Sequence, residues 1–286
     1  MILQKTTLLA GAMLSFLTVS AQHTSLLYEV SGNDLQAPSY VFGTIHLLCS
    51  DDIQVTDAMK EKLTASQQLV LELDFDDPDL MQEMQQKTML PDGKTIQDMM
   101  EAKDYAALSQ FFQDSLKIPL TAVERFSPIA LSSMLYMQML PCQPGSYEAS
   151  LTQLASAEGK EIIGLETIDE QMAAFNQIPE EGQIDYLTEM IEDYDKAQRE
   201  FEQLVAAYQT QNVDELYEIS QKSMEEVEGM EQYMLIDRNQ KWVPQMRSLM
   251  NKQPTFFAVG AGHLGGDHGL IELLTEQGYT VTAVAP

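Results

Sequence analysis

The sequence contains few positively charged residues. The 286 residues include 16 Lys and Arg against 44 Asp and Glu, which gives a formal net charge of −28. Binding to a phosphate backbone needs a basic face, so we expect no nucleic-acid partner. The same deficit argues against docking on anionic lipid. Because 44% of the residues are hydrophobic, the chain still has enough apolar side chains for a folded core.

A hydrophobic run long enough to span a membrane is also missing. The apolar stretch at residues 8–17 follows Lys5 and precedes small residues at 19–21, in the order typical of a signal peptide. A membrane span needs roughly 20 apolar residues, and this stretch is shorter. We therefore expect a signal peptide over residues 1–21. The mature chain, residues 22–286, would be exported to the bacterial periplasm or the extracellular space without membrane attachment.

Cysteine and two common catalytic motifs are scarce or absent. Cys49 and Cys142 are the only cysteines, so a zinc site built on cysteines is excluded. Export would allow a disulfide between them, and two separate buried thiols are the alternative. No Gly-x-Ser-x-Gly elbow and no His-Glu-x-x-His helix occurs, so neither an α/β-hydrolase nor a zincin is indicated.

Strand patterns occur near both ends of the chain and helical patterns lie between them. The predicted strands are residues 26–30, 40–45, 69–71, 161–165, 255–259 and 280–284. This arrangement predicts an α/β (α+β) fold in one domain, with a central mixed sheet and helices on its faces. A large helical insertion is expected at about residues 179–250.

Two helical segments carry specific expectations. Apolar residues recur at steps of three and four over residues 187–208, which predicts one long amphipathic helix. Its acidic outer face is interpreted as a solvated surface, and a docking surface for a basic partner is the alternative. Pro128 begins a nearly all-apolar helix over residues 129–140, which we expect to be buried on all sides.

Two of the four histidines lie at the ends of predicted strands. His46 ends Gly43-Thr44-Ile45-His46, and His263 ends Gly260-Ala261-Gly262-His263. Glu72 and Glu166 end two further strands. Ligands bind at the carboxyl ends of strands in α/β sheets, so these side chains are candidates for one cleft. Two imidazoles and a carboxylate are a common ligand set for a hydrolytic divalent metal. The alternatives are structural, hydrogen-bonded histidines and ordinary solvated carboxylates.

Taken together, the segments resemble the TraB/PrgY/GumN family, a group that includes the TIKI metalloproteases. The resemblance covers nearly all of the mature chain. Its two Gly-x-x-His motifs bracket a Leu-Glu-Leu-Asp segment, a Leu-Glu-Thr segment with Glu-Gln, and an Arg-Asn pair. The matching segments are residues 40–46, 71–74, 164–171, 237–239, 259–264 and 278–281.

The resemblance implies a metal-dependent site. Its metal ligands correspond to His46, Glu72 and His263. Glu166 would orient a ligand or be a further one. Arg238 would stabilise charge in the transition state, and Asn239 would orient a neighbour. One departure concerns Glu148, where members of the family usually carry Asp; the extra methylene keeps the charge but moves it.

The function expected on this basis is metal-assisted hydrolysis of peptide bonds, with a peptide or protein as substrate. The resemblance favours Mn²⁺ or Co²⁺, and Zn²⁺ or Fe²⁺ would also suit imidazole and carboxylate ligands. Glu72 or Glu166 would accept the proton from water. The alternatives are a non-catalytic protein that binds metal, haem or a small ligand, and an esterase-type hydrolase. His268 lies in a glycine-rich segment that is interpreted as a mobile lid or as a plain loop. The oligomeric state stays open.

Overall fold

Four of the six strands in the mixed sheet are parallel to one another. The computed structural model describes residues 25–285, so the predicted signal peptide lies outside the described residues. The strands in this part of the chain are β1 (Leu27–Ser31), β2 (Ser39–Thr44), β3 (Leu48–Cys49), β4 (Gln68–Leu71), β5 (Pro144–Gly145), β6 (Glu161–Gly164), β7 (Thr255–Gly260) and β8 (Thr280–Ala283). The sheet has the order β6-β4-β7-β2-β1-β8, and β3 pairs with β5 in a separate ribbon.

The pairing of these strands explains their sequence character. Neighbours among β6, β4, β7 and β2 are parallel, whereas β1 is antiparallel to both β2 and β8. Every residue of β2, β4 and β7 is buried, as expected of parallel strands that are covered on both faces. The predicted α/β fold with a mixed sheet is confirmed.

Helices pack around this sheet. Those in the described residues are α1 (Asp57–Ala65), α2 (Leu80–Lys87), α3 (Ala102–Phe111), α4 (Pro128–Met139), α5 (Tyr147–Ala157), α6 (Ile168–Phe175), α7 (Glu180–Glu192), α8 (Tyr194–Gln209), α9 (Val213–Glu225), α10 (Asp237–Met250) and α11 (Leu270–Glu276). The main core lies between the sheet and helices such as α5 and α10, and it includes the fully buried Trp242.

A second core lies entirely among helices. It joins side chains of α3 and α4, such as Leu108 and Leu135, to side chains of α7 and α8, such as Leu187 and Phe201. Two separate parts of the chain, residues 102–139 and 180–209, therefore build this core together.

Two local predictions are wrong. The long helix expected over residues 187–208 is divided into α7 and α8 at Asp193, whose backbone (φ −129°, ψ 60°) is not helical. The Asp193 carboxylate accepts a 3.1 Å hydrogen bond from the Lys196 N–H and so caps the start of α8. Helix α4 is not buried on all sides, because only one face packs into the second core. Met137, on its opposite face, is 53% exposed.

The two cysteines form a disulfide. Cys49 lies in β3 and Cys142 lies just before β5, with 5.6 Å between their Cα atoms. This resolves the two alternatives that the sequence left open.

Within residues 25–285, no helix combines the length and the apolar character needed to cross a membrane.

The second core yields a test on one helix. Leu135→Ala removes a fully buried side chain and should lower the free energy of unfolding by about 2–5 kcal/mol. Met137→Ala, two residues along α4 on the exposed face, should change it by less than about 0.5 kcal/mol. Urea denaturation of both variants measures the difference, and equal effects would contradict this packing.

Candidate active site

The parallel strands bring four of the predicted site residues to one edge of the sheet. In the strand register, Thr44 lies beside Gly260 and Leu71 lies beside Gly164. The strand order places the residues that follow these ends next to one another. Those residues are His46 after β2, His263 after β7, Glu72 after β4 and Glu166 after β6.

His46 is the exposed member of this group, with 64% of its side chain accessible to solvent. Its Nδ1 lies 2.8 Å from Glu148 Oε1, and the Thr44 hydroxyl donates a 2.6 Å hydrogen bond to the same oxygen. Desolvation by the surrounding chain opposes protonation of the imidazole. The Glu148 hydrogen bond and the charge of Glu72 outweigh it and raise the pKa of His46 to about 9.

Glu72 is buried at the centre of the site. Its Oε1 accepts a 2.7 Å hydrogen bond from the Gly260 N–H, and its Oε2 accepts one of 2.6 Å from Arg238. Burial alone would raise the pKa of Glu72, but Arg238 and the two histidines hold it well below its usual range. The Nε2 atoms of His46 and His263 lie 3.8 and 3.9 Å from Oε1, so both imidazoles face one carboxylate oxygen.

The hydrogen bonds of Asn239 determine which nitrogen of His263 carries the proton. The Asn239 amide donates to the carbonyl oxygens of His263 (3.2 Å) and His268 (2.9 Å), so its Oδ1 is an acceptor. His263 Nδ1, 2.7 Å from this oxygen, therefore donates, and Nε2 holds the lone pair. Burial and the nearby charge of Arg238 lower the pKa of His263 to about 3, which keeps the imidazole neutral.

Arg238 joins the parts of the site. Its NH2 lies 2.6 Å from Glu72 Oε2 and 2.7 Å from Glu166 Oε1, and its Nε also donates to Glu166. Its NH1 donates to the Met234 carbonyl (2.9 Å) and lies 3.1 Å from His263 Nε2. Burial opposes the charged form, but the two carboxylates outweigh it and raise the pKa of Arg238, so the guanidinium stays charged.

Glu166 serves as the anchor of the guanidinium. Both of its oxygens lie within 3.3 Å of Arg238 nitrogens, and Oε1 also accepts a 3.2 Å hydrogen bond from Gln171. Its backbone N–H donates to the carbonyl of Glu72 at 3.0 Å. Because both of its oxygens are occupied in this way, Glu166 is poorly placed to exchange a proton with a substrate.

The site suits a divalent cation in charge and in donor type. Three carboxylates (Glu72, Glu148 and Glu166) face the Arg238 guanidinium and the His46 imidazole, whose pKa is raised to about 9, so one negative charge is left in excess when His46 is protonated. Each imidazole is held through Nδ1 by an acceptor, which is how proteins orient metal-binding histidines. A Cβ on Gly260 would lie 3.3 Å from both Glu72 Oε1 and His46 Nε2, so glycine leaves space between the donors.

In this conformation the imidazole and carboxylate donor atoms are not arranged around one point at which an ion could bind. Within residues 25–285, no group of three or more His, Cys, Asp or Glu side chains is arranged to hold a metal ion. Arg238 NH1 faces the lone pair that His263 would offer to a metal, since that lone pair is on Nε2. Binding of a metal at His263 therefore requires Arg238 to release this atom.

The glycine-rich segment after β7 is held in place. The Asn239 amide bonds the His268 carbonyl, and a Cβ on Gly266 would lie 2.3 Å from the ring of Tyr217. These contacts favour the interpretation of the segment as a loop over that of a mobile lid.

Three glycines of this segment have the Gly-x-Gly-x-x-Gly spacing of a dinucleotide-binding loop: Gly260, Gly262 and Gly265. In the structure, Tyr217 and Val213 of α9 lie over Gly265, where a Cβ would be only 2.9 and 3.2 Å from their side chains. Gly265 therefore allows α9 to pack closely, and Gly260 opens the space between the histidines.

Sequence reasoning missed three contributors to the site. Glu148 was noted only as a departure from the family pattern, and Thr44 was not singled out at all. Trp242 lies beneath the site: its ring is 4.6 Å from the Arg238 guanidinium and 4.5 Å from the His263 ring. A sequence signal for Trp242 existed, because residues 238 and 242 are one helical turn apart and share a face of α10.

The ion pairs of the buried Arg238 should contribute strongly to the free energy of unfolding. Arg238→Met leaves Glu72 and Glu166 buried without their cation and should cost about 3–5 kcal/mol of the free energy of unfolding. Lys241→Met removes the exposed pair with Glu170 on the same helix and should cost less than about 1 kcal/mol. Urea denaturation measures both, and a loss below about 1 kcal/mol for Arg238→Met would contradict the network.

Comparison with known proteins identifies relatives of this chain. The chain is similar to a metalloprotease TIKI homolog from Nematostella vectensis (22% identity over 87% of this chain and 65% of the relative). It is also similar to metalloprotease TIKI2 from Danio rerio (22%, 92% and 61%) and metalloprotease TIKI1 from Homo sapiens (23%, 85% and 59%). The chain thus spans about two thirds or less of the length of these curated relatives. No solved structure gives a significant match.

A match to a family covers almost all of the described residues. The TraB/PrgY/gumN family matches residues 26–283, a range that includes both Gly-x-x-His segments and every site residue described above. The chain therefore belongs to the TraB/PrgY/gumN family.

Proposed function

We propose that the protein is an exported, metal-dependent hydrolase that cleaves peptide bonds, with His46, Glu72 and His263 as its metal ligands. One observation carries this proposal: two imidazoles, each fixed through Nδ1, direct their Nε2 atoms at the same oxygen of Glu72. A bound divalent ion would act there as a Lewis acid on a water molecule and on the scissile carbonyl. The family resemblance favours Mn²⁺ or Co²⁺, and Zn²⁺ or Fe²⁺ would also suit these ligands.

The hydrogen bonds divide the roles of the two central carboxylates. Glu72 Oε1 faces both imidazoles, so Glu72 is within reach of a water molecule held between them. Glu166 has both oxygens bonded to Arg238. We therefore assign the anchoring of Arg238 to Glu166. To Glu72 we assign the metal contact and the acceptance of the water proton, because its Oε1 has one hydrogen bond, from the Gly260 N–H, and keeps a lone pair on the side of the imidazoles.

Arg238 is the donor available to a developing oxyanion. Its Nε and NH2 hydrogens are taken up by Glu72 and Glu166, and one NH1 hydrogen is bonded to the Met234 carbonyl. The other NH1 hydrogen points to His263 Nε2. When that atom is needed as a ligand, the same hydrogen becomes free for a substrate oxygen. Asn239 keeps the His263 ring in the tautomer that this requires.

Peptide hydrolysis and export rest on separate observations. The relatives named above are metalloproteases by name, at 22–23% identity, which favours a peptide or protein substrate. The Cys49–Cys142 disulfide favours an oxidising compartment, and therefore export, because disulfides are rare in the reducing cytosol.

Metal analysis of the chain from Gln22 tests the metal site. The wild-type protein should contain one equivalent of Mn, Co, Fe or Zn after reconstitution, and a His46→Ala/His263→Ala variant should lose it while keeping its circular dichroism spectrum. Trp242, the only tryptophan, lies against His263 and should lose fluorescence when Mn²⁺ is added.

The matched control for fluorescence is His46→Ala, which removes one ligand without touching the Trp242 ring; it should weaken Mn²⁺ quenching at least tenfold in metal concentration. Metal-loaded wild-type protein is then screened with peptides and esters. Absence of metal from the wild type after reconstitution would overturn the proposal. Cleavage of esters but not peptides would overturn the peptidase assignment.

A further inference from the structure

We propose that the Cys49–Cys142 disulfide positions the site by holding Glu148 against His46, so that reduction of this disulfide disorders the His46 side of the site while the core stays folded. The consequence for hydrolysis rests on the proposed function. The hydrogen bond between the two side chains exists without a metal and is tested separately.

His46 depends on Glu148 because it is otherwise exposed. With 64% of its side chain in solvent, the imidazole has little packing to fix its direction. Its Nδ1 is bonded to Glu148, and the hydroxyl of Thr44 on β2 holds the same carboxylate oxygen. Only 4% of Glu148 is exposed, so the carboxylate is the rigid partner and the imidazole is the one that is positioned.

The location of Glu148 is set by the start of α5. Ser146 caps this helix by accepting a hydrogen bond from the Ala149 N–H at 3.1 Å, and Glu148 lies in the first turn. The segment that leads into the cap is β5, whose position depends on β3. Because β5 ends directly before this cap, the ribbon contacts the chain within three residues of Glu148.

The ribbon itself is small. Two residue pairs form it, Leu48 with Gly145 and Cys49 with Pro144, and the Ser50 N–H adds a 2.9 Å bond to the Gln143 carbonyl. A two-stranded ribbon is marginal on its own even when it is longer than this one.

The disulfide supplies the stability that the short ribbon of β3 and β5 lacks. The two cysteines are 93 residues apart in sequence. Bringing such distant segments together costs conformational entropy, and the disulfide removes this cost because it also links them in the unfolded chain. It links Cys49, three residues beyond His46, to Cys142, five residues before the start of α5. The packing there is close, since a Cβ on Gly145 would lie 2.7 Å from the Ile53 side chain and 3.0 Å from Ser50 Cα.

A reductant can reach this bond, because Cys142 is exposed. A dithiol reductant attacks one sulfur as a thiolate, forms a mixed disulfide and then closes on itself. Two electrons pass to the protein, which ends with the Cys49 and Cys142 thiols, and the reductant leaves as a cyclic disulfide. Cys142 is exposed and Cys49 is half-buried, so the bond lies at the edge of the main core and the sheet should stay folded without it.

The direct test is proton NMR of the metal-free protein. The Nδ1–H proton of His46, hydrogen-bonded to a carboxylate, should give a downfield resonance that His46→Gln removes. Glu148→Gln should abolish it. Glu158→Gln, at the far end of α5 and bonded to Thr64 rather than to the site, should leave it unchanged. Reduction of the wild type, or the Cys49→Ser/Cys142→Ser variant, should broaden or abolish it while Trp242 emission and circular dichroism are retained.

Hydrolysis on the same samples separates the two proposals. With the disulfide open, kcat should fall about tenfold to a hundredfold with little change in KM, because misplacing a reacting group by about 1 Å costs about that much. If reduction of the disulfide changes neither the downfield resonance nor kcat, the inference is wrong, even if the protein is an active hydrolase. If the resonance changes as predicted but the protein neither binds metal nor hydrolyses a substrate, the inference is upheld and the proposed function is overturned.

Discussion

A buried guanidinium shared by two carboxylates is the interaction on which this site depends. Arg238 extends from α10 to the ends of β4 and β6, where Glu72 and Glu166 receive it at 2.6 and 2.7 Å. Burying these charges costs several kcal/mol per ion, and only complete pairing offsets the cost. The sheet edge, α10 and the turn before α6 are therefore fixed relative to one another. Trp242 supports the guanidinium from below, at 4.6 Å.

The two histidines face the same carboxylate from opposite electrostatic surroundings. Carboxylates surround His46 and raise its pKa to about 9, whereas burial beside Arg238 lowers the pKa of His263 to about 3. The carboxylates around His46 therefore favour positive charge there, whereas the neutral His263 already offers a lone pair. On the proposed function, a divalent cation between them would replace the proton on His46 and the Arg238 hydrogen bond at His263 Nε2. Arg238 thus stabilises the buried carboxylates, and on the proposed function it would also be the hydrogen-bond donor released when the metal binds.

Much of this arrangement is predictable from sequence because its signals are local. Each parallel strand is an apolar run that ends at a polar residue, so the strand ends place His46 and Glu72 correctly. Arg238 and Asn239 follow from the resemblance to a family. The pairing of His46 with Glu148 has no such signal, because it joins residues 102 positions apart through a ribbon of two pairs. The break at Asp193 was missed since the apolar period continues across it, and only the capping carboxylate marks the boundary.

Under the proposed function, His46, Glu72 and His263 bind one metal ion, and Arg238 releases His263 Nε2 to it. Anomalous diffraction from crystals soaked in Mn²⁺ tests this directly. We expect a single strong peak within coordination distance of His46 Nε2, His263 Nε2 and a Glu72 oxygen, with Arg238 NH1 no longer bonded to His263. Manganese bound elsewhere, with the contact between Arg238 and His263 intact, would contradict it.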